Sequence, residues 1–130
     1  LYTALQQGVV DGAENNPPSF YLSRHFETSQ YYALNEHTMV PDILLMSLRS
    51  WESLDEQQKE WLQSAVDDSV AHQRKLWMEA TEEALSAVKE AGVIVTQPDK
   101  QPFMDAVAEM KASYDGTEIG ELLNDIAAVE

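Results

Sequence analysis

The sequence predicts a helix-rich α/β chain, and three observations carry that expectation. Ile43, Leu44, Leu45 and Met46 are apolar at four successive positions, which reads as a strand buried on both faces. An apolar stripe at helical spacing passes through Trp61, Leu62, Ala65, Val66, Val70, Trp77, Ala80, Ala84, Leu85 and Val88. Val93 to Thr96 is a short β-prone run stopped by Pro98.

Taken in order, Tyr2 to Gln7 reads as a short helix closed by Gly8, and the Val9-Val10-Asp11-Gly12 stretch as a strand leading into a turn. Pro17 and Pro18 suit the first turn of a helix, where a missing N–H costs nothing, so a helix is predicted over about Pro18 to Thr28. Tyr31, Tyr32, Ala33 and Leu34 form a β-prone run. Ser53-Leu54-Asp55-Glu56 fits a capping box, in which a Ser side chain and a Glu three residues on satisfy each other's free backbone N–H groups. The helix starting there would reach Ala91 and stop at Gly92, on the order of 55 Å at the helical rise. An element that long should bridge two bodies or bend. Phe103 to about Tyr114 alternates apolar and charged residues at helical period, and a last helix is predicted from Thr117 towards Val129. The inventory is about five helices and three or four short strands. It contains a conflict, because a strand buried on both faces needs neighbours that the chain scarcely offers.

With 44% hydrophobic residues, the 130-residue chain can bury a core. Eight basic against 23 acidic residues give a formal charge of −15, which repels nucleic acid and anionic membrane surfaces and so argues against both as partners. No apolar run approaches the roughly 20 residues that span a bilayer. With no cysteine there is no disulfide, thiol nucleophile or cysteine-based zinc site. His25 and His72 lack a second histidine at helical spacing and read as surface residues, so no metal site and no cofactor is expected. Nor is there a Ser-His-Asp pattern, a spaced pair of carboxylates marked by burial, or a phosphate-cradling glycine loop, and no catalytic residue is assigned. The chain starts at Leu1, inside what reads as a helix, and is expected to be a fragment or processed product.

The segment Ala4 to Pro17, ALQQGVVDGAENNP, resembles the hallmark of the extracytoplasmic solute-binding proteins of TRAP transporters, the DctP type, whose pattern is close to A-L-Q-x-G-x-V-D-G-x-E-N-P. Glu36 to Trp51, with its Glu-His-Thr start, and the SLDEQQKEWLQSAVDDS lead into the long helix agree in order and spacing. The resemblance covers essentially the whole chain. It implies the C-terminal half of a two-lobed periplasmic-binding-protein-like fold, with a cleft between the lobes and a long helix spanning both. On that reading residues 1–52 supply cleft-lining strands and a helix, 53–91 the spanning helix, and 92–130 a strand and the C-terminal helices. The missing sheet partners would lie in the other half.

The resemblance further implies a periplasmic protein that captures a small organic acid anion and hands it to TRAP membrane permease subunits. Such proteins hold the ligand carboxylate mainly through an arginine upstream of the hallmark, a position this chain lacks. Arg24, Arg49 and Arg74 do not match it and read as surface charges. Alone, the chain is therefore expected to bind little. Asn15 matches the family's ligand-contacting amide, whose donors and acceptor suit sugar hydroxyls or a carboxylate oxygen; it equally suits a turn before Pro17. Asn16, the second Asn, resembles the subgroup that takes uronic or other sugar acids. Glu14 could accept from sugar hydroxyls or serve a structural hydrogen bond. His37, placed before the predicted strand, could donate to a carboxylate or be satisfied by backbone. Trp61 and Trp77 fall at core spacing, whereas Trp51 stays open as a pocket residue. Phe20 and Tyr21 could stack on a sugar ring or pack their helix against the sheet. The alternative to ligand capture is a self-associating helical fragment, a homodimer formed through apolar surfaces that the other half would cover.

Overall fold

Asn16 and Asp55 open the two helices that organise the larger of two contact units. In the computed structural model, which describes residues 1–129, that unit comprises residues 1–32 and 36–96; the smaller comprises residues 33–35 and the described residues from 97 on. Helices hold 58% of the chain and the two strands are three residues each, so the helix-rich α/β expectation stands.

The larger unit begins with α1 (Tyr2–Gln6). Next, α2 (Pro17–Leu22) starts where the Asn16 side chain accepts from the Ser19 N–H at 2.9 Å, with prolines in its first turn. It stops six residues short of the predicted Thr28. Arg24 takes a left-handed backbone, φ 56°, that no helix continues through, and a 3-10 turn over His25–Glu27 follows. Strand β1 (Tyr31–Ala33) pairs with β2 (Ile94–Thr96).

Between them lie α3 (Leu48–Glu52) and the 35-residue α4 (Glu56–Glu90). The capping box sits two residues further along than the sequence suggests. Asp55 accepts from Gln58 N–H at 2.8 Å, and the Gln58 side chain accepts from Asp55 N–H at 3.0 Å. Ser53 instead donates its hydroxyl to the Ser50 carbonyl at 2.7 Å and closes α3, so it is not free to cap α4. At the other end Gly92, φ 93°, supplies the left-handed residue that ends the helix.

The core sits where α2 crosses the C-terminal turns of α4. Phe20, Ala84, Val88 and Val93 are buried, with Tyr21, Phe26, Tyr32 and Val95 packed around them. Burying three such side chains contributes roughly 1.5–3 kcal/mol each before entropy is counted.

Several expectations are corrected. Ile43 to Met46 is not a buried strand: the segment has no regular structure, and Ile43, Leu44 and Leu45 are 73%, 72% and 82% exposed. Pro41 removes one backbone donor, and the short β1–β2 pair is the only sheet among the described residues. Val9 and Val10 form bends, not a strand. The stripe on α4 has helical period, yet only its last turns meet a partner. Trp61 and Trp77, read as core, are 65% and 48% exposed. Along its free length the helix rests on its caps and on spaced side-chain pairs such as Gln63–Asp67 and Lys75–Glu79.

In the smaller unit the single helix predicted over Phe103 to Tyr114 is two, α5 (Gln101–Ala106) and α6 (Ala108–Ala112), broken at Val107. Val107, β-branched and at ψ 3°, leaves the helical path. α7 (Glu118–Ala127) is capped by Thr117, whose hydroxyl oxygen accepts from Gly120 N–H at 3.2 Å. Seven α-helices and two strands among the described residues thus replace about five and three or four.

Candidate functional site

The hallmark segment is held in an extended path by contacts at both ends. At its start Gly8 turns left-handed, φ 68°, and Val9 N–H bonds back to the Ala4 carbonyl at 2.9 Å. At its end Asn16 is committed to capping α2, while the Asn15 side-chain oxygen accepts from the Asn16 N–H at 3.0 Å. The middle is pinned from across the unit: the Tyr32 hydroxyl donates to the Asn15 carbonyl at 2.7 Å. Tyr32 is itself positioned by stacking on Phe20, ring centroids 4.5 Å apart and planes 13° from parallel. The double proline therefore does more than start a helix. It places Phe20 to receive Tyr32, which fixes the height of Asn15.

These contacts enclose a cavity of about 290 Å³. Its walls are the Val10–Asn15 segment, Phe20, His25, the Thr28–Tyr32 stretch, and Leu1 and Leu5 of the first helical turn. The lining is mixed, with amide, hydroxyl and imidazole groups beside aromatic and aliphatic surface. Asp11 and Glu14 make it electronegative. Burial first, and the Glu14 carboxylate second, push the Tyr32 hydroxyl above the ordinary tyrosine range and keep it a neutral donor. Such a wall can donate to and accept from a polyhydroxylated ligand. Among the described residues no cluster of three or more His, Asp or Glu is arranged to hold a metal ion.

Of the residues singled out from the sequence, Glu14 and Asn15 line this cavity. His37 lies beside it, its Nε2 3.9 Å from a Glu14 carboxylate oxygen. Asn16 stands at the edge as a helix cap. Trp51 is not in the wall: it sits half-buried on α3, with the Lys59 ammonium 5.8 Å above its ring. Phe20 takes the packing role left open for it, and Tyr21 lies tilted against Phe26 at 5.7 Å.

Tyr32 and His25 are among the wall residues that escape the sequence reading. Tyr32 could have been found from strand alternation, since one of two successive tyrosines must face inward. His25, read as a surface residue, is buried with only 7% of its area exposed. The error follows from the helix boundary: the left-handed Arg24 rotates the chain and carries the imidazole inward, which a helix continuing to Thr28 would not do.

Residues 1–117 match the bacterial extracellular solute-binding protein family 7. A solute-binding protein of Chromohalobacter salexigens is 38% identical over 116 residues, 88% of this chain and 34% of its own length. Among solved structures, a TRAP periplasmic solute-binding protein of Chromohalobacter salexigens with bound D-glucuronate superposes with a TM-score of 0.88 at 34% identity, covering 97% of this chain and 43% of its own. One from a Bradyrhizobium species, in complex with D-galacturonate, gives 0.82 at 40% identity, covering 99% and 44%. The chain thus spans between about a third and just under half of the length of these relatives.

Proposed function

We infer that this chain, which belongs to the bacterial extracellular solute-binding protein family 7 and hence to a family of solute-binding proteins and not of enzymes, supplies one wall of a binding cleft for a sugar acid. The observation that carries this reading is the cavity walled by the hallmark segment, with Glu14 and Asn15 beside the Tyr32 hydroxyl and the Gln30 and Ser29 positions. Hydroxyl-rich ligands need such alternating donors and acceptors, and about 290 Å³ is at the small end of ligand sites, suited to a monosaccharide. Solved relatives carry D-glucuronate and D-galacturonate, which makes a hexuronate the ligand of choice. Asn15 presents its side-chain amide to the sugar, Glu14 accepts from a hydroxyl, and His37 steadies Glu14 from behind. Asn16 shapes the segment by capping, and Trp51 borders the ligand only in the completed cleft.

The physiological sequence is capture outside the cytoplasm, hinge closure of two lobes on the ligand, and transfer to TRAP permease subunits in the membrane. Affinity belongs to the completed cleft, because this wall offers no arginine fork for the carboxylate. The chain alone then holds a sugar acid no tighter than about the millimolar range. Calorimetry with D-glucuronate tests the reading in the Chromohalobacter salexigens protein that carries it, with this chain substituted for the matching segment. The chimera should bind, and Asn15→Ala should weaken binding about tenfold, the cost of leaving one ligand hydroxyl without its hydrogen bond. A folded chimera indifferent to every sugar acid would sink the proposal.

A second reading is favoured by one observation: Met39, Val40, Ile43, Leu44 and Leu45, interrupted by Pro41 and Asp42, are all exposed. On this reading the isolated chain forms a homodimer through those side chains, with no ligand function of its own.

A further inference from the structure

Within the cavity wall one group is out of keeping with the rest. His25 is more than nine-tenths buried, yet the structure gives its imidazole no hydrogen-bond partner. Only its backbone is engaged, the carbonyl accepting from the Thr28 hydroxyl at 3.0 Å and from the Thr28 N–H at 3.0 Å. No side-chain nitrogen or oxygen sealed from solvent is left unsatisfied among the described residues. A ring nitrogen without a partner therefore keeps some exposure to solvent, and the cavity is a space that His25 lines. An imidazole with nothing to bond to inside the protein, on a residue that lines a cavity, has an N–H to offer a ligand that enters.

The charge pattern says what that would be. Asp11 and Glu14 make the lining acidic, and His25 is the one side chain in it that can carry a positive charge. A hexuronate has a carboxylate at one end and hydroxyls over the rest. Placed with the carboxylate against Glu14 or Asp11 it would bring like charges together; placed with the hydroxyls there, it donates to them and turns its anion towards the imidazole. We propose that His25 is a ligand-binding residue that donates an N–H hydrogen bond to the carboxylate of the sugar acid, and so fixes which way round the sugar lies. The proposal rests on the cavity's being the sugar-acid site, as inferred above.

The chimera described above, in which the cleft is complete, serves for the test, by NMR titration with D-glucuronate, following the His25 imidazole Cε1–H and the Asn15 side-chain amide together. The His25 signal should shift saturably while that of exposed His72 stays still. His25→Phe, which keeps the ring and removes the donor, should weaken the apparent affinity read at Asn15 at least about tenfold, and His25→Gln, which keeps a donor, by no more than about threefold. Methyl glucoside, of the same shape without the carboxylate, should leave His25 unmoved. If Asn15 responds while His25 does not, or if His25→Phe titrates like the parent, the role of His25 is overturned and the cavity reading stands. An equal response of His25 to methyl glucoside overturns its contact with the carboxylate. If neither residue responds, both readings fail. Should His25→Phe not fold, the direct His25 signal and His25→Gln still decide the matter.

Discussion

The Tyr32 hydroxyl donates a 2.7 Å hydrogen bond to the backbone carbonyl of Asn15, seventeen positions earlier in the chain. Through it the β1–β2 pair holds the hallmark segment, and the Phe20 stack holds Tyr32. Tyr32→Phe removes the bond and leaves the stack. The bond is open to water, which can replace the lost donor, so the variant should lose only about 1 kcal/mol in denaturant unfolding. The Asn15 and Asn16 amide resonances should shift even so, because the segment is released.

Tyr32 also reports on Glu14. Burial and then the Glu14 carboxylate raise its pKa, so the folded state binds the tyrosine proton more tightly than the unfolded chain does. The stability this contributes is fully present below the ordinary tyrosine range and is lost as pH rises through the folded value. Glu14→Gln removes the smaller cause and leaves burial. The Tyr32 titration, read by ultraviolet absorbance as the difference from Tyr32→Phe, should move down but stay above an exposed tyrosine. A titration that does not move would separate Glu14 from Tyr32.

What the sequence made legible follows from how local each signal is. Pro17 with Pro18, Gly92 after a long periodic run, and the Tyr31 to Leu34 run each announce an element from within a few residues, and the structure has all three, the strand covering Tyr31–Ala33. The capping box was legible as a pattern but not in register, since Ser53 and Asp55 are both competent caps and only the hydroxyl's alternative bond to Ser50 decides between them. Burial was the poorest reading. Leu44, Trp61 and Trp77 have the spacing of core residues, but spacing records that a face is apolar and not that anything covers it. Glu14 and Asn15, singled out through the family pattern, line the cavity. His25 was missed because one left-handed residue, Arg24, turned it inward.

That same Arg24 bonds the Glu27 carboxylate, to which the Tyr2 hydroxyl also donates at 3.0 Å. The Arg24 hydrogen bond is the main reason the Glu27 carboxyl is held below the ordinary glutamate range. Its contribution is present above that range and is lost as pH falls through the folded value. Arg24→Gln should raise the Glu27 pKa, read by carboxyl-carbon NMR. The group is exposed, so the change in global stability should be slight.

Gly120 tests the smaller unit. A Cβ at this helical position would lie 2.3 Å from the Tyr114 carbonyl oxygen and 3.0 Å from its carbon, both backbone atoms that cannot swing aside. Gly120→Ala gains ~1 kcal/mol of helix propensity, but overpacking costs ~1–3 kcal/mol. The clash should win. Hydrogen exchange in α7 should quicken, whereas the amides around Phe20 and Val88 in the other unit should keep their protection.

The exposed run at Met39 to Leu45 decides the second reading of function. Each large side chain moved out of water contributes roughly 1.5–3 kcal/mol, and association must first offset at least ~4 kcal/mol of lost freedom, so two or three side chains per chain are enough for a weak dimer. The formal charge of −15 opposes it at low ionic strength, and salt should therefore strengthen association. Light scattering should show a mass that rises with concentration, and more steeply in salt. Leu44→Ser with Leu45→Ser should weaken the dimer at least about tenfold, since each change removes roughly 1.5 kcal/mol or more. Both positions lie outside regular structure and are exposed, so thermal unfolding of the monomer should not change. A constant monomer mass at every concentration and salt would dismiss the homodimer and leave ligand capture as the surviving reading.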